Sequence, residues 1–405
     1  MKRIVIVSRY LIALVFIFSG FVKGVDPLGS AYKFHDYFVA FHLDFLEPLS
    51  LLFSFLLGAA ELLIGLLLLF GVRLKIAAWG AFLFMLLFTP LTLFLAIFNP
   101  VSDCGCFGDA VHLSNWQTFY KNIVFFAASI VLLVYRGNLE CTFAKWKEYF
   151  LLVLLIIVAF APAIHGYQHL PSIDFRPYHV GVNIYNDMTV PEGAPSDEYS
   201  TKFSYRKDGI IKEFDESNYP WDDSTWTFVD AKSILVKEGY TAPIHNFTLN
   251  TLEGEDITEK FVTASGYSFL VVSSRLDKAD VNAFKKLTDL YYKANEKGYG
   301  FICATATSLD AIRQFTSENA IPFQFVTADE VTLKTIVRSN PGLLLLYNGT
   351  IIGKWHWRDF PDVNYVNSDM YSMQLSEMAS VANKRLSIAL GAFLLLLLII
   401  VKFWK

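Results

Sequence analysis

The stretch "SRYLIALVFIFSGFVKGVDPLG", residues 8–29, decides what kind of chain this is. From Tyr10 to Val22 it carries no charged side chain. With the residues before it, it forms an apolar run near 4–22, close to the roughly 20 residues that cross a bilayer as a helix. Further runs lie near 49–70, 76–98, 119–135, 149–166 and 386–401, so six spans are predicted. Composition agrees: 54% of residues are hydrophobic and only 18% are charged, and the mean hydropathy is +0.40. These values indicate a membrane protein. The net charge of −4 points to no particular partner, and no basic stripe interleaved with aromatics suggests nucleic acid. Lys2 and Arg3 could open a signal peptide, but Phe21, Val22 and Lys23 follow the first run in place of a small-residue cleavage site. The run is therefore expected to stay as an anchor.

Orientation follows from the basic residues at the span ends. Lys2, Arg3, Arg9, Arg73, Lys75, Arg136, Lys145, Lys147, Lys402 and Lys405 fall on one side; Lys23 and Lys33 fall on the other, with Lys384 and Arg385 as a mild dissent. Both termini are expected in the cytoplasm. Three parts then face outward: a loop over 23–48, the loop "SDCGCFGD" at 102–109, and a large segment over 167–384.

The connections at 71–75 and 136–148 are short and favour antiparallel helices packed as a bundle. In "KFSYRKDGIIKEF", 202–214, Asp208-Gly209 between alternating arms predicts a hairpin. Farther on, "YSFLVVSS" (267–274) reads as a buried strand and "KADVNAFKKLTDLYYKANEKG" (278–298) as a helix. "YGFICATAT" (299–307) is again a strand, "SLDAIRQFTSENA" (308–320) a helix, "PFQFVT" (322–327) a strand and "ADEVTLKTIV" (328–337) a helix. "GLLLLYNGTIIGKW" (342–355) closes as a hairpin on Asn348-Gly349. The expected organisation is a membrane bundle over 1–140, a fifth span over 141–170, a β-rich linker over 171–239, an α/β domain over 240–362, and a linker with a last span over 363–405.

Two family likenesses follow from these residues. The opening stretch, with Arg9, Gly20, Lys23, Asp26 and Pro27, is similar to the start of DoxX-like membrane proteins. The likeness continues through "GAAELLIGLLLLFGVRLK" (58–75) to "NPVSDCGCFGDAVHLSNWQTFYKN" (99–122), which looks like the loop of the MauE branch. Over about the first 140 residues the resemblance implies a four-helix membrane core in a bacterial inner membrane. DoxX relatives are linked to sulfur-compound or quinone redox chemistry, and MauE relatives to disulfide formation in a periplasmic partner. The α/β segment resembles a thioredoxin fold of the TlpA type. "GYTAPIHNFTLNTLEGEDIT" (239–258) looks like that family's opening, and Pro341 stands where the family places a cis-proline. The overall expectation is an α-helical transmembrane bundle joined to an extracytoplasmic α/β thioredoxin-like domain.

One departure governs that domain's chemistry. Where the redox motif should follow the first central strand, the chain reads Ser273, Ser274, Arg275, Leu276. Without a thiolate nucleophile and a resolving thiol the domain cannot run disulfide exchange by itself. It reads as a docking module in which Pro341 could present a backbone edge to a peptide. Cys303, inside an apolar strand, reads as a buried inert thiol.

The candidate site residues are Cys104, Cys106 and Glu61, with Pro341 and Arg176 as partner-binding candidates. A carboxylate in mid-span faces the bundle interior, pairs or is protonated. Glu61 is thus either a proton or ligand site, a quinone head group included, or an interior pair with Arg9 or Lys23. For the Cys-Gly-Cys loop three readings stay open: a redox-active dithiol, a metal site, or a passive bridge or turn. Two cysteines fall short of the four ligands structural zinc favours. A Cys-x-Cys bridge closes a very small ring that constrains the unfolded chain little and, being strained, exchanges readily. Gly105 supplies the backbone freedom the ring needs. Asp103 and Asp109 flank the pair and are expected to raise the thiol pKa values. His112, and the pair His165 and His169, are set against their plainer reading as solvated or helix-exit residues. Cys141 falls on the opposite side and is expected to be a lone thiol. In "HLPSIDFRPYHVGVNI" (169–184), Arg176 is expected to pin the outward part to the bundle. "KWHWRDFP" (354–361) packs either at the membrane surface or in the domain core.

Two functions compete. One is an inner-membrane redox helper: a substrate thiolate attacks the Cys104-Cys106 disulfide, a mixed disulfide forms and the second cysteine resolves it, with a quinone as carrier and a protein client on the soluble domain. The other is a non-enzymatic membrane scaffold or assembly factor whose α/β domain binds a partner. A transporter is a weaker third, since Glu61 is nearly the only mid-span charge.

Overall fold

In a computed structural model, the described residues are 2–101, 103–138, 143–237, 239–367 and 369–376. Cys141 and the predicted span at 386–401 lie outside them. Five helices are long and apolar enough to cross a membrane: α1 (Lys2–Val25), α3 (Ser50–Phe70), α4 (Leu74–Phe98), α5 (Asn115–Val134) and α6 (Lys145–Gln168). Each matches a predicted run within a few residues at either end.

α1 and α3 approach most closely because glycines sit at their crossing. A Cβ at Gly20 would fall on the backbone of Leu62, and one at Gly65 would stand 2.7 Å from the Ile17 nitrogen. Ile12, Ala13, Leu68, Ala78, Leu132 and Leu155 fill the space between the helices. Leu14, Leu87, Val124 and Ile157 point outward, as helices in lipid require. Arg9 donates to the carbonyls of Leu68 (2.6 Å) and Leu69 (3.2 Å), satisfying the end of α3.

The segment expected to be a loop over 23–48 is mostly helical. α2 (Pro27–Ala40) starts on an Asp26 cap, whose carboxylate accepts from Gly29 N at 2.9 Å, with Pro27 in its first turn. A 3₁₀ turn over Asp44–Leu49 leads into α3. Cap and proline are visible in "VDPLG"; the weak apolar periodicity of residues 30–40 hides the helix.

After α6, α7 (Ile184–Met188) precedes a three-stranded antiparallel sheet of β1 (Glu198–Lys207), β2 (Ile210–Phe214) and β3 (Thr227–Lys237), in the order β2-β1-β3. The β1–β2 turn uses Asp208 and Gly209, both at positive φ, as the hairpin signal predicted. A second sheet follows α8 (Thr258–Val262). Its strands are β4 (Tyr267–Ser273), β5 (Gly300–Thr305), β6 (Gln324–Thr327), β7 (Gly342–Tyr347) and β8 (Thr350–His356). They lie in the order β6-β5-β4-β7-β8, with β4, β5 and β6 parallel and β7 and β8 antiparallel to their neighbours. α9 (Val281–Glu296), α10 (Leu309–Asn319) and α11 (Glu330–Ile336) make the crossovers.

One face of this sheet packs Phe269, Val271 and Leu345 with α9; the other packs Leu270, Leu344 and Ile351 with Tyr178 and Ile184. Both faces are covered, so the strands are apolar throughout. Cys303 is fully buried in β5 and its thiol is pushed well above the ordinary range by burial. Trp355, Trp357 and Phe360 close the core on the α9 side.

Candidate functional site

The Cys-Gly-Cys loop joins α4 to α5 and is held on three sides by the bundle. On the first, the Cys106 carbonyl accepts from Lys23 Nζ (2.8 Å) and Ser19 Oγ (2.7 Å). Both donors also reach Glu61 Oε2 at 2.7 Å, and Lys23 and Glu61 form a buried ion pair. Glu61 therefore pairs with Lys23, whereas Arg9 serves the α3 end. On the second side, Tyr37 of α2 donates to the Cys104 carbonyl at 2.9 Å. On the third, Lys33 holds Asp103 at 2.9 Å, while the other Asp103 oxygen accepts from Gly105 N at 2.8 Å. Gly105 has φ +64°, a conformation that favours glycine, and this fold brings the two sulfurs together.

Cys104 Sγ and Cys106 Sγ stand 3.0 Å apart as free thiols. Their environments push them in opposite directions. Cys106 is lowered to about 6, first by the hydrogen bond from Cys104 and then by Lys121 and Lys23, against the effect of burial. Cys104 is raised well above the ordinary value by the same hydrogen bond and by burial. This corrects the expectation that Asp103 and Asp109 raise both thiols. Each carboxylate is committed to a cation, Asp103 to Lys33 and Asp109 to Arg338, so the lysines dominate at Cys106.

The α/β region sits over this loop. Arg338, in the segment between α11 and β7, donates from Nε to both Asp26 oxygens (2.8 and 3.0 Å) and from Nη2 to Asp109 at 3.3 Å. Its guanidinium lies 5.2 Å over the Tyr32 ring of α2. A second tie joins the end of α6 to the same region: His169 Nδ1 stands 2.8 Å from Asp359, and Arg358 donates to the Gln168 carbonyl at 3.3 Å. A cleft of about 800 Å³ lies between bundle and α/β region, with Lys33, Gly105, His112, Phe175 and Lys334 among its walls. His112 also borders the small pocket around Cys104 and Cys106.

Arg176 is buried and binds within the α/β region, to Asp174 at 2.7 Å and the Thr335 carbonyl at 3.0 Å. Lys354 completes the cluster on the other Asp174 oxygen at 2.6 Å. The residue that reaches both Asp26 and the Cys-Gly-Cys loop is Arg338, to which no sequence signal points; a lone arginine three residues before Pro341 carries no pattern of its own. Pro341 is buried after a cis Asn340–Pro341 bond. Its neighbours Ser339 and Asn340 border a cleft against α2, the end of the Asp44–Leu49 turn and the start of α3. Among the described residues no group of three or more His, Cys, Asp and Glu side chains could hold a metal ion.

Residues 1–135 match the family model described as Methylamine utilisation protein MauE. The membrane part of this chain is MauE-like. The MauE match includes α1 to α5, the whole Cys-Gly-Cys loop, and the Lys23, Glu61 and Ser19 side chains that anchor it. A second match, to a domain of unknown function (DUF8463), covers 199–238, the three-stranded sheet beyond the MauE-like part. No curated protein and no solved structure matches the chain.

Proposed function

We propose that the MauE-like bundle is a membrane thiol/disulfide helper working through Cys104 and Cys106. The observation that carries this reading is the pair itself: two thiols at 3.0 Å with opposed acidity, on a loop fixed to a buried ion pair. In the oxidised state a substrate thiolate attacks one sulfur, the Cys104-Cys106 bond breaks, and a mixed disulfide forms. Cys106 is the better leaving thiolate, which directs attack to Cys104. A second substrate thiol, losing its proton, then displaces Cys104. The substrate leaves as a disulfide, and the loop keeps two electrons as a dithiol. A quinone taking two electrons and two protons would restore the disulfide. Glu61 and Lys23 serve here as the anchor of the Cys106 backbone.

In this reading the chain lies in a bacterial inner membrane with both termini cytoplasmic and the α/β region in the periplasm. That region is a thioredoxin-like domain without Cys-x-x-Cys, a reading supported by its strand order and the cis Asn340–Pro341 bond. Differential alkylation of Cys104 and Cys106 in intact membranes across a graded redox buffer tests the proposal. An exchangeable couple above about −250 mV, higher than structural disulfides, is expected, and in Cys106→Ser offered the oxidised substrate, Cys104 attacks its disulfide, expels one substrate thiolate and keeps the other sulfur as a lasting mixed disulfide. Cysteines that stay reduced, or stay bridged under strong reductant, overturn it.

A second reading, a non-catalytic scaffold, draws on Arg338 and Asp359 tying the α/β region to the bundle. It gains if alkylation shows no exchange.

A further inference from the structure

We propose that Arg338 is a positioning residue through which the α/β region sets the charge and placement of the Cys104-Cys106 loop. The inference rests on the thiol reading of that loop and names its control. Among the described residues, Arg338 is the side chain of the α/β region that is ion-paired to the loop. The loop's other ties among the described residues come from the bundle or from the loop itself. It is 6% exposed, and its guanidinium spans Asp26 at the end of α1 and Asp109 in the loop. The loop transmits what happens at Asp109, because Gly108 N donates to the Gly105 carbonyl (3.1 Å) and Ala110 N to the Phe107 carbonyl (3.2 Å). Cys106 and Asp109 thus belong to one tight turn.

The base of Arg338 is equally fixed. Asn340, two residues on, donates to the Arg275 carbonyl at 2.7 Å and accepts from Ser273 Oγ at 2.7 Å. Both contacts lie at the C-terminal end of β4. Arg338 also donates to the Lys334 carbonyl at the end of α11. The sheet end facing the bundle is therefore used to hold the loop, and a partner that displaces the α/β region withdraws Arg338 from Asp109.

Electrostatics give the coupling its sign. Facing Cys106 are Lys23 and Glu61 from α1 and α3, Lys121 from α5, and Tyr37 from α2, which also supplies Lys33 to Asp103. Asp103, Asp109 and His112 come from the loop itself. With Arg338 in place Asp109 is neutralised. Without it, Asp109 is a free carboxylate one turn from the thiol and disfavours the thiolate.

The test follows iodoacetamide alkylation of Cys106 by peptide mass spectrometry against pH, in the reduced full chain in lipid nanodiscs. Arg338→Gln is expected to move the midpoint of the reaction to higher pH and to slow it at least about threefold near pH 6. Asp109→Asn is expected to move the midpoint the other way. The double variant should return towards the wild type, and Arg338→Lys should fall between. An unchanged profile in Arg338→Gln overturns the proposal. So does faster alkylation that Asp109→Asn fails to correct, since mere loosening of the loop gives that result. The assay needs only reduced thiols, so a loop with no exchangeable couple sinks the redox reading while leaving this result to stand or fall alone.

Discussion

Lys23 Nζ stands 2.7 Å from Glu61 Oε2, and both side chains are less than a tenth exposed. The pair lies between two membrane helices and also holds the Cys106 carbonyl. Removing one member leaves a buried charge without its counter-ion, which costs about 3–5 kcal/mol. Lys23→Met or Glu61→Leu should therefore lower unfolding stability in micelles by that order. Lys23→Met/Glu61→Leu together should cost less than either alone. If the double variant costs the sum of the two, the pair is not coupled as described.

Cys106 should react as a thiolate well below neutral pH. Its alkylation rate is expected to climb through about pH 6 and level off, while Cys104 stays protonated until alkaline pH. A thiol lowered in the folded chain contributes stability above its ordinary value near 9, and that contribution is lost as pH falls through about 6. Cys106→Ser should flatten this part of the stability profile. A Cys106 that alkylates only near pH 8–9 contradicts the electrostatics.

Asp174 is the carboxylate shared by Arg176 and Lys354. Burial pushes it up, but the two cations hold it at about 2. Its stabilisation is complete above the ordinary carboxylate range near 4 and lost as pH falls through about 2. Asp174→Asn leaves Arg176 a buried cation without its counter-ion, while burial and Arg176 drive Lys354 to give up its proton, and is expected to cost about 3–5 kcal/mol. Faster proteolysis within 171–376, with the bundle intact, is the readout; unchanged proteolysis contradicts it.

Gly20→Val should prevent α1 and α3 from closing, because the new side chain would meet the Leu62 backbone. Loss of monodisperse protein in detergent is expected, with Gly137→Val as a harmless control, since a Cβ at Gly137 would meet no atom of the described residues beyond its chain neighbours within 4 Å. Equal behaviour of the two variants contradicts the close approach.

Local order is largely readable in the residues. Charge-poor apolar runs expose the five described spans, and Asp208-Gly209 and Asn348-Gly349 expose two hairpins, because those signals act within a few residues. Contact between distant residues stays hidden. Lys23 looks as much like a solvated helix end as a partner of Glu61, 38 positions away. Arg338 and Asp26 are 312 positions apart, and no local pattern links them. The acidity of Cys106 is misjudged from sequence for the same reason: the aspartates beside it are visible, whereas the lysines that neutralise or outweigh them arrive from α1, α2 and α5.

The hold of Lys23 and Ser19 on the Cys106 carbonyl also governs traffic. Swinging the sulfurs away from the helix ends would strip two donors from that carbonyl beside a buried charge, so the loop is a fixed berth and not a swinging arm. Whatever meets those sulfurs must travel to them, sideways through the lipid or down through the cleft beneath the α/β region.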